Sequence, residues 1–142
     1  MKKKGAVMEF SAERIEDLMS VYRSYIRQCD FIRMPDVYEN IVNMPAKRFY
    51  VSDIRAALVV ASIQRGENVL KEMRESKRKM FKEIYNRVIA LKDKDPKLSL
   101  SQLCAIVVSQ PAPEFYLTPG TAKVMICKER RKWEKKHRKS QL

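Results

Sequence analysis

Glycine is nearly missing from this chain, with three in 142 residues, at positions 5, 66 and 120. That excludes a glycine-rich phosphate loop and leaves few places for the left-handed backbone of tight hairpin turns. Histidine is rarer still, His137 being the only one. No metal-ligand cluster and no nucleophile–base pair can be assembled from the sequence pattern. We therefore expect no enzyme and no cofactor. The three cysteines, Cys29, Cys104 and Cys127, are odd in number and scattered through apolar stretches. They offer neither a disulfide framework nor the paired spacing of a zinc site, and read as buried free thiols in a reducing compartment. Long apolar runs are absent too: the longest, 56–61 and 103–108, are far too short to span a bilayer. Met1-Lys2-Lys3-Lys4 begins like a signal peptide, but no apolar region follows. The expectation is a cytoplasmic protein with no membrane partner.

What is present points to a folded, helical chain. Apolar residues make up 45% and charged residues 33%, which is not a disordered composition. With glycine scarce and β-branched residues clustered rather than alternating, the fold class expected is all-α. Thirty Lys and Arg against seventeen Asp and Glu leave a net charge of +13. Such a field repels copies of itself and attracts polyanions, unless it is only a solubilising surface. Its distribution argues for a polyanion. Residues 1–66 hold eleven basic and eight acidic groups, a net +3, whereas residues 67–142 hold nineteen and nine, a net +10.

The chain also repeats itself. Residues 45–60 read PAKRFYVSDIRAALVV and residues 111–126 read PAPEFYLTPGTAKVMI. At an offset of 66, Pro45/Pro111, Ala46/Ala112, Phe49/Phe115, Tyr50/Tyr116 and Ala56/Ala122 are identical. Val37, Ile41 and Val42 fall opposite Leu103, Val107 and Val108 at that offset, and VYRSYI at 21–26 matches IYNRVI at 84–89 at an offset of 63. Shared ancestry of two halves accounts for this pattern. Each half reads helix, loop, helix, aromatic turn, helix.

Local signals mark the helix ends. Phe10-Ser11 predicts the start of the first helix, with Ser11 as N-cap and Phe10 stapled to Ile15. A short helix over 36–43 follows Pro35. Ser52 predicts the cap of a third helix over 52–65, and Gly66 its stop. In the second half a helix starts near Ser76, and Ser99 to Gln102 forms a capping box for a helix over 99–110. Thr118-Pro119 predicts the start of the last helix, with Thr118 as cap and proline at the first helical position, running to about 138.

Three helices ending in a capped one resemble, in architecture only, the trihelical helix-turn-helix class of DNA-binding proteins. The repeat and the helix-end signals divide the chain into a flexible terminus over 1–10, two tandem three-helix units over 11–66 and 76–142, and a connecting segment over 67–75. The resemblance then implies helix pairs, 36–43 with 52–65, and 99–110 with 118–138. The helix 52–65 is apolar all round, as for a helix buried on several sides. It is expected to form an interface between the halves, with another copy, or with a larger protein complex.

The last helix changes character along its length. From Lys128 it reads KERRKWEKKHRKSQL, and residues 123–139 carry nine basic and two acidic groups, a net +7. Thr121, Lys123, Lys128 and Arg131 are candidates for base-edge or phosphate contacts. Arg130, Lys132, Lys135, Lys136, Arg138 and Lys139 are candidates for tracking phosphates. Trp133 shares a face with Ala122 and is expected to pack on a neighbouring helix. His137 is expected to be solvated. The repeated Phe-Tyr pairs are read as core, with base stacking the other possibility. Lys77-Arg78-Lys79 sits at a helix start, where its charge opposes the dipole and either a phosphate or a frayed turn would accommodate it. The function expected is a non-enzymatic nucleic-acid-binding regulator or accessory factor, with double-stranded DNA favoured over RNA. The other reading is a structural subunit of a nucleoprotein assembly that contacts RNA or DNA without reading sequence.

Overall fold

A computed structural model describes the backbone of residues 3–140 and the side chains of residues 10–138. The fold is all-α. Six helices follow in order: α1 (Lys3–Gln28), α2 (Met34–Val42), α3 (Asp53–Gln64), α4 (Glu75–Lys94), α5 (Leu100–Val108) and α6 (Pro119–Ser140). A 3₁₀ turn at Val69–Glu72 lies between α3 and α4. Among the described residues no helix is long and apolar enough to cross a membrane.

Most punctuation falls where the sequence puts it. The Ser52 hydroxyl accepts the Arg55 N–H, and Ser99 and Gln102 form the reciprocal capping box. Gly66, at φ 80°, stops α3 with paired bonds, Gly66 N–H to Ile63 O and Glu67 N–H to Ser62 O. That left-handed position is one glycine takes without steric cost. The first helix is an exception. It begins at Lys3 and runs through Phe10 and Ser11, so Ser11 is not its cap. Nothing in residues 3–10 breaks a helix strongly, and an interior serine costs only a fraction of a kcal/mol, about 0.5. Phe10 lies 4.4 Å beneath the Arg48 guanidinium.

The two halves are joined through their linkers. Residues 43–52 and 109–118 cross, and Ala46 and Ala112 exchange a pair of backbone hydrogen bonds, each 3.0 Å. On either side, Phe49 N–H donates to Val108 O and Phe115 N–H donates to Val42 O. These two bonds map onto one another under the offset of 66 seen in the sequence. Burial follows the same offset: Val37, Tyr38, Ile41 and Val42 of α2 are buried, as are Leu103, Cys104, Val107 and Val108 of α5. Phe49 and Phe115 are both buried core residues.

The crossing decides the packing, and here the arrangement departs from two tandem units. Helix α3 packs on α4 and α5 of the other half, while α6 packs on α1 and α2. Neither expected pair, α2 with α3 nor α5 with α6, packs together among the described residues. The physical reason is the linkers' hydrogen bonding to one another, which carries each third helix away from its own half. Helix α3 is also not buried on all sides. Ala56, Val59 and Val60 face the core, but Ile54 is 72% and Leu58 59% exposed.

One polar side chain pins each linker. Buried Asp17 of α1 accepts the Lys47 N–H at 2.8 Å and the Tyr50 hydroxyl at 2.6 Å through one carboxylate oxygen. Arg87 of α4 pairs with Glu83 at 2.8 Å, donates to Pro111 O at 2.9 Å, and stands 5.0 Å from the Phe49 ring centre. Glu83 thus helps hold the Arg87 guanidinium in place. Arg78, from the basic cluster at the start of α4, donates to Leu70 O and Met73 O of the connecting segment, which accounts for its unfavourable place on the dipole. Tyr116 adopts a left-handed φ of 56° and stacks on Phe49 with ring centres 6.0 Å apart. Of the thiols, only Cys104 is buried; Cys29, just beyond the end of α1, and Cys127, on α6, are partly exposed.

Four outcomes are expected. Residues 1–66 expressed alone will lack a cooperative urea transition, because α3 has lost α4 and α5; in the full chain Phe115→Ala will cost ~3–5 kcal/mol in the same assay. Burial pushes the Cys104 thiol from its ordinary value of 9.0 up to about 11. Its folded pKa exceeds the unfolded one, so its contribution is complete below pH 9 and is lost as pH rises through 11. The urea midpoint should fall across that window, and a thiol reagent at neutral pH should label Cys29 and Cys127 but not Cys104 until the chain unfolds.

Candidate nucleic-acid interface

Helix α6 starts on a cap and ends clear of the body. The Thr118 hydroxyl accepts the Thr121 N–H at 3.1 Å and donates to the Thr121 hydroxyl at 2.9 Å. Pro119 takes the first helical position, where a missing N–H is harmless. The inner turns bury Ala122 and Ile126 against α1 and α2, with Met125 partly covered. The Cys127 thiol meets the Tyr38 hydroxyl of α2 at 3.9 Å. Burial raises the Tyr38 phenol to about 12, the Cys127 bond adds to the shift, and the Arg130 charge opposes it. Tyr38 therefore remains a neutral anchor for the helix.

Beyond this anchor the surroundings change. Residues 131–138 are exposed without exception. Eight consecutive residues cover more than two turns, so every face of this segment meets solvent. Thr121, Val124, Lys128, Arg131, Lys135 and Arg138 recur at the three-and-four spacing of one face, and all are exposed. Lys132 borders that face. Lys123 and Arg130 are exposed on one flank and Lys136 on the other. The side chain of Lys139 lies outside the described residues, as do Lys2 and the side chains of Lys3 and Lys4. The remaining nine candidates are brought together on one helix. Thr121 is partly committed to the cap, and Arg131 donates to Cys127 O at 3.4 Å.

Trp133 is where the sequence reading fails. It is 59% exposed rather than part of the core, and its ring stacks on His137 with centroids 3.7 Å apart and planes at 27°. The His137 Nδ1 lies 3.0 Å from Trp133 O, which fixes the second ring one turn along. Two signals were available: the four-residue spacing of Trp133 and His137, and the lack of any aliphatic residue between Ile126 and Trp133. Among the described residues, no group of three or more His, Cys, Asp or Glu is placed to hold a metal ion.

The chain matches no known protein-family model, no curated protein and no solved structure. Its chemistry has to be read from the helix itself.

Removing residues 131–142 should leave the urea unfolding free energy of the remainder within about 0.5 kcal/mol of the parent, as for exposed substitutions. A larger loss would mean that the outer turns contribute to the core.

Proposed function

We infer that this protein binds nucleic acid, DNA in preference to RNA, through the outer turns of α6, and performs no chemistry of its own. One observation carries the reading. The segment 131–138 is exposed all round and holds Arg131, Lys132, Lys135, Lys136 and Arg138 among its eight residues. Cations exposed on the surface can approach phosphates, and each phosphate neutralised releases condensed counterions. Such a protein serves as a regulator or accessory factor, or as a subunit of a nucleoprotein assembly. Ile54 and Leu58 on the outer face of α3 are then the surface offered to a protein neighbour, whether a second copy or another chain.

Backbone contact without sequence reading is the form best supported. Groove reading rested on a helix-turn-helix pair, and α5 and α6 do not pack as one. A duplex-reading role keeps one favourable observation, the exposure of Lys123 and Lys128 near the anchored part of α6.

The deciding measurement is competition binding of duplex DNA, single-stranded DNA and RNA over a salt series. Lys135→Ala should weaken binding to all sequences alike and lower the salt slope by ~1. Lys123→Ala should behave in the same way if only backbone is contacted. A shift in sequence preference worth ~1–3 kcal/mol would instead restore groove reading. Absence of binding to every nucleic acid at low salt would sink the proposal.

A further inference from the structure

Trp133 occupies the line that the core face of α6 would follow if the body continued. Ala122 and Ile126 on that line are buried against α1 and α2; Trp133 and His137, farther along, are exposed. A large ring held 59% exposed on a cationic helix is apolar surface that a ligand drawn by the charge can cover, and Trp is amphipathic enough to sit at such a boundary. The charge around it selects the occupant. A second copy of this helix would bring a net +7 over residues 123–139 against another +7, which opposes self-association through this face. A polyanion with flat apolar faces is attracted by the charge and covers the ring. Nucleic acid with unpaired bases has both properties.

We propose that Trp133, backed by His137, is a stacking platform for an unpaired base, so that the preferred ligand is single-stranded nucleic acid. This rests on the nucleic-acid reading above and specifies its substrate. One side of the indole is already occupied by the imidazole at 3.7 Å, which holds the ring in a single orientation before any ligand arrives. That pre-ordering lowers the entropy lost on binding. Arg130 lies three residues before Trp133 and Lys136 three residues after it, each on the neighbouring turn of the same side. A strand running along the helix can therefore set a base on the indole and its flanking phosphates on those two cations. In a duplex the bases are stacked on one another and leave no face for the ring. The basic face through Lys128, Arg131 and Lys135 lies on the other side of the helix and serves duplex and single strand alike.

Trp133 is the only tryptophan in the chain, so intrinsic fluorescence of the full-length protein reports this site alone. The protein is titrated with a short oligothymidylate, with a duplex of the same length, and with inorganic polyphosphate, a polyanion without bases. Affinity is followed in parallel through a labelled oligonucleotide. The single strand should quench the fluorescence strongly, and polyphosphate, bound at the same salt, should leave it nearly unchanged. W133A should lose affinity for the single strand by on the order of tenfold while duplex and polyphosphate affinities stay at the parent level. W133F, which retains a ring, should recover part of the loss; circular dichroism of both variants checks that α6 remains helical. Single-strand binding without quenching, or with W133A as tight as the parent, overturns the stacking proposal and leaves the phosphate reading standing. Equal quenching by polyphosphate also overturns it. Loss of duplex affinity in W133A equal to the loss on the single strand overturns the preference for unpaired bases. Absence of binding to all three ligands removes the underlying nucleic-acid reading instead, and so is distinguishable.

Discussion

Two alanines hold the crossing on which the rest of the molecule depends. Ala46 and Ala112 are buried and exchange both of their backbone hydrogen bonds. Small side chains let the two linkers approach closely, and buried backbone donors and acceptors there find partners only in one another. Pro45 and Pro111 stand immediately before them, where a missing N–H interrupts any continuation of the preceding helix. Phe49 and Phe115, three residues on, fill the space beneath. Breaking the bridge would strand polar backbone groups in an apolar interior and unseat two aromatic rings. Each third helix packs where it does because the linker delivers it there.

That exchange makes the molecule one cooperative body rather than two beads. Helix α3 belongs by sequence to the first half and by contact to the second; α6 does the reverse. It also gives α6 two roles. Its inner turns are core for α1 and α2, locked by Ala122, Ile126 and the Tyr38–Cys127 contact. Its outer turns are exposed from 131 to 138 and carry cations toward the helix C-terminus, where the dipole favours positive charge. An anchored, projecting helix presents charge without a flexible tether, so fewer degrees of freedom are lost when a polyanion is engaged.

Asymmetry between the halves is informative. At the offset of 66, Leu58 and Val124 are both exposed apolar residues, and Ala56 and Ala122 are both buried. Yet α3 stops at Gly66 while α6 continues for about three more turns of largely charged sequence. Tyr50 is tied to Asp17, whereas Tyr116 takes a left-handed backbone and leans on Phe49. The two halves share a core pattern and differ at the periphery, where Asp17 pins one linker and Arg87 the other.

Local physics was legible in the sequence. The periodicity of apolar residues, the caps at Ser52, Ser99 and Thr118 and the stop at Gly66 depend on neighbours within a few positions, and nine of the ten candidate contact residues could be placed on one helix. The start of α1 was misread because a capping serine and an interior serine differ only by context. Tertiary structure alone decided which helix packs on which. Hydrophobic patterning specifies a buried face but not its partner, and linkers of this length reach either half with little difference in cost. The same limit explains Trp133: its position on the core line follows from helical spacing, but its exposure depends on how the other helices are arranged. The sequence by itself determined the elements, their buried faces and the charge of α6. The linker crossing, formed by backbone groups that are the same in every residue and therefore carry no sequence signal, determined their arrangement.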